Sequence, residues 1–283
     1  MNNMVKIYQS NKVNLLMQLD TTRNERQTDE FGTPYYLVGK GNNEAKIYVL
    51  PPTNYNGKLK LEDFAFTVTT HRLFMYVREL YALRTTDCID FSIKDFANRC
   101  GLLDKDRARK QIERDLFALS AVSYEDSGTV IDSFEMRYGR VCVHLSKDFT
   151  DSMSKQNYIL LPLEYYSIDR RQFGYAPSML YYLLLLKYYN SKKTNKNRIT
   201  IKSLLEYSKF PTIEEVRSTN NYSIKGRIVV PFFCNLNALK GVARYTYYSE
   251  RGDKLTPDEV RALPYEDMIR VVIHIEWLYD KKK

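Results

Sequence analysis

The sequence lacks any hydrophobic run long enough to cross a bilayer. The longest such run, residues 179–186, is far shorter than the ~20 apolar residues that a membrane-spanning helix needs. The first residues, MNNMVKIYQSNK, also lack the apolar segment of a secretory signal. From these absences we expect a soluble, cytoplasmic protein without a membrane partner.

Cysteines are few, and none stand in a C-x-x-C pair. They lie within apolar runs, which is typical of free buried thiols in a reducing compartment. Cys142 and His144 share one face of a predicted strand, so that Cys88 or Cys100 could complete a metal site with them. Structural zinc sites usually have tighter ligand spacing than this. We therefore predict no metal and no cofactor.

Histidine is also scarce, and His71, His144 and His274 are isolated from one another in the sequence. A rolling-circle nickase needs a His-x-His metal pair beside its nucleophilic tyrosine, so the 24 tyrosines here identify no nucleophile. The chain also lacks a G-x-x-x-x-G-K-[ST] phosphate loop, which argues against an ATP-driven helicase. We therefore expect a protein that is not an enzyme.

Positive charge, in contrast, is abundant. The chain has 43 Lys and Arg residues against 34 Asp and Glu residues, which gives a net charge of +9. This balance favours an anionic partner, with nucleic acid first and an anionic membrane surface second. A length of 283 residues predicts about two domains, and a hydrophobic content of 44% suffices for their cores.

The segment 104–119, DKDRARKQIERDLFAL, has two distinct faces when it is read as a helix. The apolar positions are Ala108, Ile112, Leu116 and Leu119. The polar positions are Arg107, Lys110, Gln111 and Arg114. We expect the first face to be buried, while the second carries three cations and an amide that can reach a DNA groove. The alternative interpretation is an ordinary solvated helix, because Lys and Arg cover most protein surfaces.

The elements predicted around this segment follow the order of a winged helix-turn-helix domain. They are a helix over 70–84, a short strand at 89–91, a helix from Ser92 to Cys100, and, after the segment, strands at 121–125, 130–137 and 140–145. In this fold the third helix, here 104–119, enters the major groove. Arg137 and Arg140 flank the tight turn at Tyr138 and Gly139, where they could contact phosphates.

The second half of the chain repeats this pattern. A shift of 108 residues places the apolar positions of the first helix on apolar positions of 181–189, and Ser92 on Thr200. A shift of 120 residues aligns the third helices, and a longer turn with a small helix capped by Thr212 and Glu215 takes up the difference. Wing strands are then expected at 244–249 and 268–279.

The two copies differ in their third helices. In the second copy we place the start of the third helix at about Val230, with Pro231 in its first turn. Under the shift of 120, the positions of Lys110, Gln111 and Arg114 become Val230, Pro231 and Cys234, so the exposed side is nearly neutral. Its remaining candidate DNA contacts are Lys225, Arg227, Arg251 and Lys254. Either this domain contacts DNA through these residues, or it serves partly as a protein interface.

We therefore predict an α+β protein with two tandem winged helix-turn-helix domains, over 61–150 and 158–283. A small β-rich extension, 1–60, precedes them, and its β-prone runs within 35–50 predict a hairpin. The polar segment 147–158 is expected to form a helix turn and a linker between the two domains.

Over residues 60–280 the chain resembles the plasmid replication initiator proteins. The resemblance lies in the tandem layout and in segments such as DFSIKDFANRCGL, RKQIERDLFAL and RIVVPFFCNLNALKGV. It implies binding of double-stranded origin repeats, recruitment of host replication proteins, DNA contact by both domains and dimerisation through one of them. In that family the second domain makes many of the base contacts. The nearly neutral third helix of the second domain here departs from that pattern. A winged-helix transcription regulator is the alternative function, since both classes read DNA alike.

Overall fold

The computed structural model describes residues 4–21, 24–39, 44–50, 65–102, 104–125, 127–194, 197–219 and 223–279. It forms two compact units, Met1–Ser167 and Ile168–Lys283.

The first unit contains three helices and a three-stranded sheet in the predicted order. The elements are α2 (Val68–Arg84), β5 (Cys88–Ser92), α3 (Ile93–Arg99), α4 (Lys105–Ser120), β8 (Ile131–Arg137) and β9 (Arg140–Leu145). All three strands are antiparallel, and β9 lies between β5 and β8. A first strand at the sheet edge and a hairpin after the third helix give the winged helix-turn-helix arrangement that the sequence predicted.

Local sequence signals fix where these helices begin. The Ser92 side chain accepts a hydrogen bond from the Asp95 backbone N–H, and Asp104 accepts from two N–H groups in the first turn of α4. Each cap satisfies donors that have no partner inside the helix. Gly101 follows the C-terminal end of α3 and has a φ of 64°. Glycine adopts this left-handed conformation at little energetic cost, so it is well suited to end the helix.

The N-terminal region is part of the first unit. Its elements are β1 (Met4–Gln9), α1 (Asn11–Leu16), β2 (Arg26–Thr28), β3 (Pro34–Val38) and β4 (Ala45–Val49). The last two form the antiparallel hairpin that the sequence predicted. Together with β2, β6 (Val122–Tyr124) and β7 (Ser127–Thr129), they make a five-stranded sheet.

The segment 147–158 contains the predicted helix turn, but the predicted interdomain linker is instead a strand within the first unit. It forms α5 (Lys147–Ser152) and the start of β10 (Ser154–Pro162), and β10 pairs with β1. The pairing places Ile7 opposite Ile159, and both side chains are buried. These two isoleucines meet only in the folded chain. The polar composition of 147–158, taken alone, therefore suggested a linker. A short helix, α6 (Glu164–Ser167), ends the unit, so its boundary lies later than residue 158.

The second unit repeats the three-helix order with its own sheet. Its elements are α7 (Ala176–Tyr189), β11 (Arg198–Thr200), α8 (Ile201–Tyr207), α9 (Ile213–Ser218), α10 (Val230–Asn237), β12 (Ala243–Tyr248), β13 (Lys254–Leu255), α11 (Pro257–Ala262), α12 (Tyr265–Met268) and β14 (Val272–Trp277). The last long strand lies between the first strand and β12, as in the first unit. The architecture is therefore duplicated.

The third helix of the second unit, α10, begins at Val230 as predicted, but a π-helical turn that was not predicted precedes it. A π-helical turn, Lys225–Val229, leads directly into α10, and Pro231 lies in the first turn of α10. Proline has no N–H to donate to the carbonyl four residues earlier, and its ring clashes with that carbonyl. The wider π-helical turn before Pro231 moves this carbonyl away from the ring and removes the need for the missing hydrogen bond. The last strand is shorter than predicted, because α12 ends at Met268 and a turn separates it from the start of β14 at Val272. No helix in the described part of the chain is long and apolar enough to span a membrane.

Candidate nucleic-acid interface

The two faces of α4 are separated as the sequence predicted. Ala108, Ile112, Leu116 and Leu119 are buried, with exposed fractions between 0% and 2%. Arg107, Lys110 and Arg114 are exposed on the opposite side. The buried face anchors the helix in the core of the first unit, which leaves the three cations available to a polyanion.

A buried carboxylate fixes α4 against the start of α2. Asp115 is 2% exposed, and its Oδ1 accepts hydrogen bonds from Thr70 Oγ1 at 2.9 Å and Thr69 Oγ1 at 3.2 Å. Burial raises the pKa of Asp115 to about 6, against the lowering effect of these hydrogen bonds. Asp115 was not a predicted site residue, although its spacing of three residues from Ile112 and four from Leu119 places it on the apolar face and is the signal for a buried carboxylate.

Gln111 differs from its three cationic neighbours on α4. It is half-buried, and its Nε2 donates to Asp115 Oδ1 at 2.9 Å and to Thr69 Oγ1 at 3.1 Å. The bond to Thr69 joins α4 to α2, and the bond to Asp115 lies within α4. To read a base through its amide N–H groups, Gln111 would have to exchange these hydrogen bonds for new ones.

The exposed cations at the N-terminal half of α4 are lightly constrained. The guanidinium of Arg107 forms an ion pair with Asp104, with Nε and Oδ2 3.2 Å apart, and its side chain is 81% exposed. An exposed pair of this kind contributes little and is readily exchanged for a phosphate. Arg109 is also exposed. It was not a predicted site residue, although its position next to Lys110 was a sufficient signal.

The wing of the first unit carries the two predicted arginines on either side of a tight turn. Tyr138 and Gly139 have φ angles of 51° and 76°, as expected for a two-residue hairpin turn, and Tyr138 is fully exposed. Arg137 forms an exposed ion pair with Glu135 at 3.2 Å. Arg140 is held more firmly, because Asp90 on the neighbouring strand binds its guanidinium through Nε and Nη2.

The predicted site residues of the second unit are exposed but lie in two places. Lys225 and Arg227 lie in the π-helical turn, and Arg251 and Lys254 lie at the turn between β12 and β13. On α10 itself, Val230 is 48% exposed and Cys234 is exposed. The side of α10 that corresponds to the cationic face of α4 is therefore uncharged at these positions, as the sequence predicted.

The histidines do not form a nickase-like pair among the residues that the structure describes. His71 is buried, and its Nε2 lies 2.8 Å from the Leu19 carbonyl oxygen. His274 packs against the ring of Tyr248. His144 lies beside Cys88 and Cys142, and the ligand atoms of these three residues lie within 4.8 Å of one another. The sequence left this combination conceivable, but no metal site was predicted there.

Comparison with known proteins finds no matching family model and no matching curated protein. Among solved structures, the chain is similar to a Pi initiator protein crystallised in complex with iteron DNA. The alignment covers 98% of each chain, with a TM-score of 0.47 and 11% sequence identity. The match is to an initiator, the class of protein that the sequence resembles. Similarity at this level assigns no binding activity and no residue role to the present chain.

Proposed function

We propose that this protein binds double-stranded DNA sequence-specifically and initiates replication of a plasmid or a similar mobile element. The observation that carries the proposal is the cationic face of α4, where Arg107, Lys110 and Arg114 are exposed on a helix whose other face is fully buried. This helix is the third of a winged helix-turn-helix unit, the position that enters the major groove in such folds.

The residues divide by the contacts that they would make. Arginine and lysine can donate to guanine O6 and N7 or to phosphates, so Arg107, Lys110 and Arg114 would supply both base reading and affinity. Arg137 at the wing tip would contact a neighbouring phosphate. Gln111 would act first as a positioning residue, since its amide already binds Asp115 and Thr69.

The second unit would contribute backbone contacts more than base reading. Its candidate residues, Lys225, Arg227, Arg251 and Lys254, are exposed, while the exposed positions of α10 are uncharged. We also propose that the protein acts in the cytoplasm without an enzymatic activity of its own, and that host replication proteins carry out the subsequent steps. Dimerisation would use a surface other than the cationic face of α4.

The central test reverses the charge of that face. A binding site is first selected from random duplex DNA with the wild-type protein, and binding is then measured by gel shift over a range of salt concentrations. We expect the triple variant R107E/K110E/R114E to bind at least about 100-fold more weakly, since each good arginine–base contact is worth about 1–3 kcal/mol. The slope of log K against log salt concentration should also become less steep by about 3, because three cations no longer contact phosphates.

The matched control reverses the same number of positive charges at other positions on the surface. The variant K147E/K192E/K193E reverses three exposed lysines that the proposal does not use. Both triple variants lower the net charge from +9 to +3, since each change to Glu removes two charges. If the control loses as much affinity as the α4 variant, the helix has no specific role and only net charge matters.

The initiator function is tested on the DNA beside the coding region. We expect the selected sequence to recur there as direct repeats, and a fragment that carries them to replicate in a host that makes the protein. An inverted repeat at a promoter, without replication, would support the transcriptional regulator instead. Strand cleavage of supercoiled origin DNA by the purified protein would contradict the non-enzymatic mechanism.

A further inference from the structure

The outer face of the wing sheet brings together two thiols and an imidazole. In the antiparallel pairing of β5 with β9, Cys88 lies opposite His144, and Cys142 lies two residues before His144 on the same strand. Side chains at these positions point to the same face of a sheet. Val141, Val143 and Ile89 are buried on the opposite face, so the three polar groups share the solvent side.

The three ligand atoms are already close to the spacing that a tetrahedral ion requires. Cys142 Sγ lies 3.6 Å from His144 Nε2 and 2.9 Å from Cys88 Sγ. Metal–ligand distances of about 2.3 Å for sulfur and about 2.0–2.1 Å for nitrogen imply separations of about 3.5 Å between S and N and about 3.7 Å between two S atoms. The S–N spacing therefore fits, and the two sulfurs need only move apart by less than an ångström.

We propose that Cys88, Cys142 and His144 form a zinc-binding site on the wing of the first unit. Thiolate and imidazole ligands select a borderline-soft ion such as Zn²⁺ over Mg²⁺ or Ca²⁺. Cys88 and His144 are solvent-exposed, so a water molecule would complete a four-coordinate ion. This inference is independent of the proposed DNA binding.

The surroundings of Cys142 add negative charge to the site. Asp90 on β5 and Glu135 on β8 are its two cross-strand neighbours. Their carboxylates form ion pairs with Arg140 and Arg137, so they act as neighbours of the ion and not as ligands. Bound zinc would link β5 to β9 on the exposed face and would stabilise the sheet from which the wing extends.

The test uses the full chain, reduced with a reagent that contains no thiol and freed of metal. Co²⁺ and Zn²⁺ are added separately, and thiolate–cobalt charge-transfer absorption, bound zinc per chain and the melting temperature are measured. We expect one Co²⁺ per chain with a charge-transfer band, displacement of Co²⁺ by Zn²⁺, and a higher melting temperature with Zn²⁺, because a ligand that binds only the folded state stabilises it.

The variants C88S, C142S and H144N should each lose the charge-transfer band and the zinc-dependent rise in melting temperature. All three positions lie on the outer face of the sheet, and circular dichroism checks that the variants fold. C234S is the matched control, since Cys234 is an exposed cysteine in the second unit, and it should bind metal like the wild type.

Two results would overturn the proposal. In one, the reduced wild type binds no more metal than the C88S/C142S double variant. In the other, the two thiols are found oxidised to a disulfide and the reduced protein binds no zinc, which would make the cysteines a redox pair instead of ligands.

Discussion

At the scale of single residues, buried polar groups determine how the candidate interface is held in place. Asp115 joins two helices through hydrogen bonds from Thr69, Thr70 and Gln111. The cost of burying its charge appears as a raised pKa. Gln111 illustrates the same point, because a residue predicted to face DNA is used in part to satisfy this carboxylate.

The raised pKa of Asp115 predicts a pH dependence of stability. Its pKa rises from 3.8 to about 6 on folding, so the folded state binds the proton more tightly than the unfolded state. This contribution is fully present below pH 4 and is lost as the pH rises through about 6. The shift of about two pKa units corresponds to a loss of about 3 kcal/mol in the free energy of unfolding.

The variant D115N should remove this dependence, because an amide accepts hydrogen bonds without titrating. Denaturant unfolding at pH 4.5 and pH 7.5 measures the change in the free energy of unfolding for both proteins. These pH values lie about 1.5 units on either side of the shifted pKa. We expect D115N to gain stability relative to the wild type at the higher pH. E113Q, at an exposed position of the same helix, is the control. Parallel pH profiles for D115N and the wild type would rule out the assignment.

At the scale of elements, the wing combines a firmly held arginine with a loosely held one. Arg140 is bound by Asp90 on the adjacent strand, whereas Arg137 has only an exposed ion pair with Glu135. Since exposed pairs contribute little, Arg137 can exchange its partner for a phosphate at small cost. The wing should therefore contribute to affinity mainly through Arg137.

R137A should weaken DNA binding to a similar extent for all sequences and reduce the salt slope by about 1, as expected for one lost phosphate contact. R261A serves as control, because Arg261 is also exposed and paired with one carboxylate, Asp258, at 3.1 Å. Gel shifts with the selected site and with unrelated DNA measure both effects. Equal behaviour of the two variants would exclude the wing tip from the interface.

At the scale of the whole molecule, a duplicated architecture carries two different surfaces. The first unit has a cationic third helix, while the exposed positions of α10 in the second unit are uncharged and its candidate DNA contacts lie at the π-helical turn and at its own wing. In the proposed function, this difference divides base reading by the first unit from backbone contact by the second. A protein interface at the second unit is the alternative that the sequence left open.

K225E/R227E distinguishes these roles of the second unit. If Lys225 and Arg227 each contact a phosphate, the salt slope should fall by about 2 while the preferred DNA sequence stays the same. K192E/K193E makes the same charge change in the same unit and should have little effect. A normal salt slope combined with an altered oligomeric state in sedimentation experiments would instead assign these residues to a protein interface.

The sequence by itself determined the features that depend on local pattern. Helical spacing in 104–119 and the caps at Ser92, Asp104 and Thr212 act within a few residues, so the order of elements, the duplication and the exposed cations could be predicted. The π-helical turn before α10 was not predicted, since it depends on how the chain accommodates Pro231.

Only the tertiary structure decided which distant residues meet. The pairing of β1 with β10, the inward hydrogen bonds of Gln111 and the convergence of Cys88 with Cys142 and His144 join positions that are far apart in the chain. Cys88 and His144 became neighbours because two strands pair in one antiparallel register, and a shift of one residue would have put their side chains on opposite faces. Such a register depends on burial across the whole sheet, which no local stretch of sequence specifies.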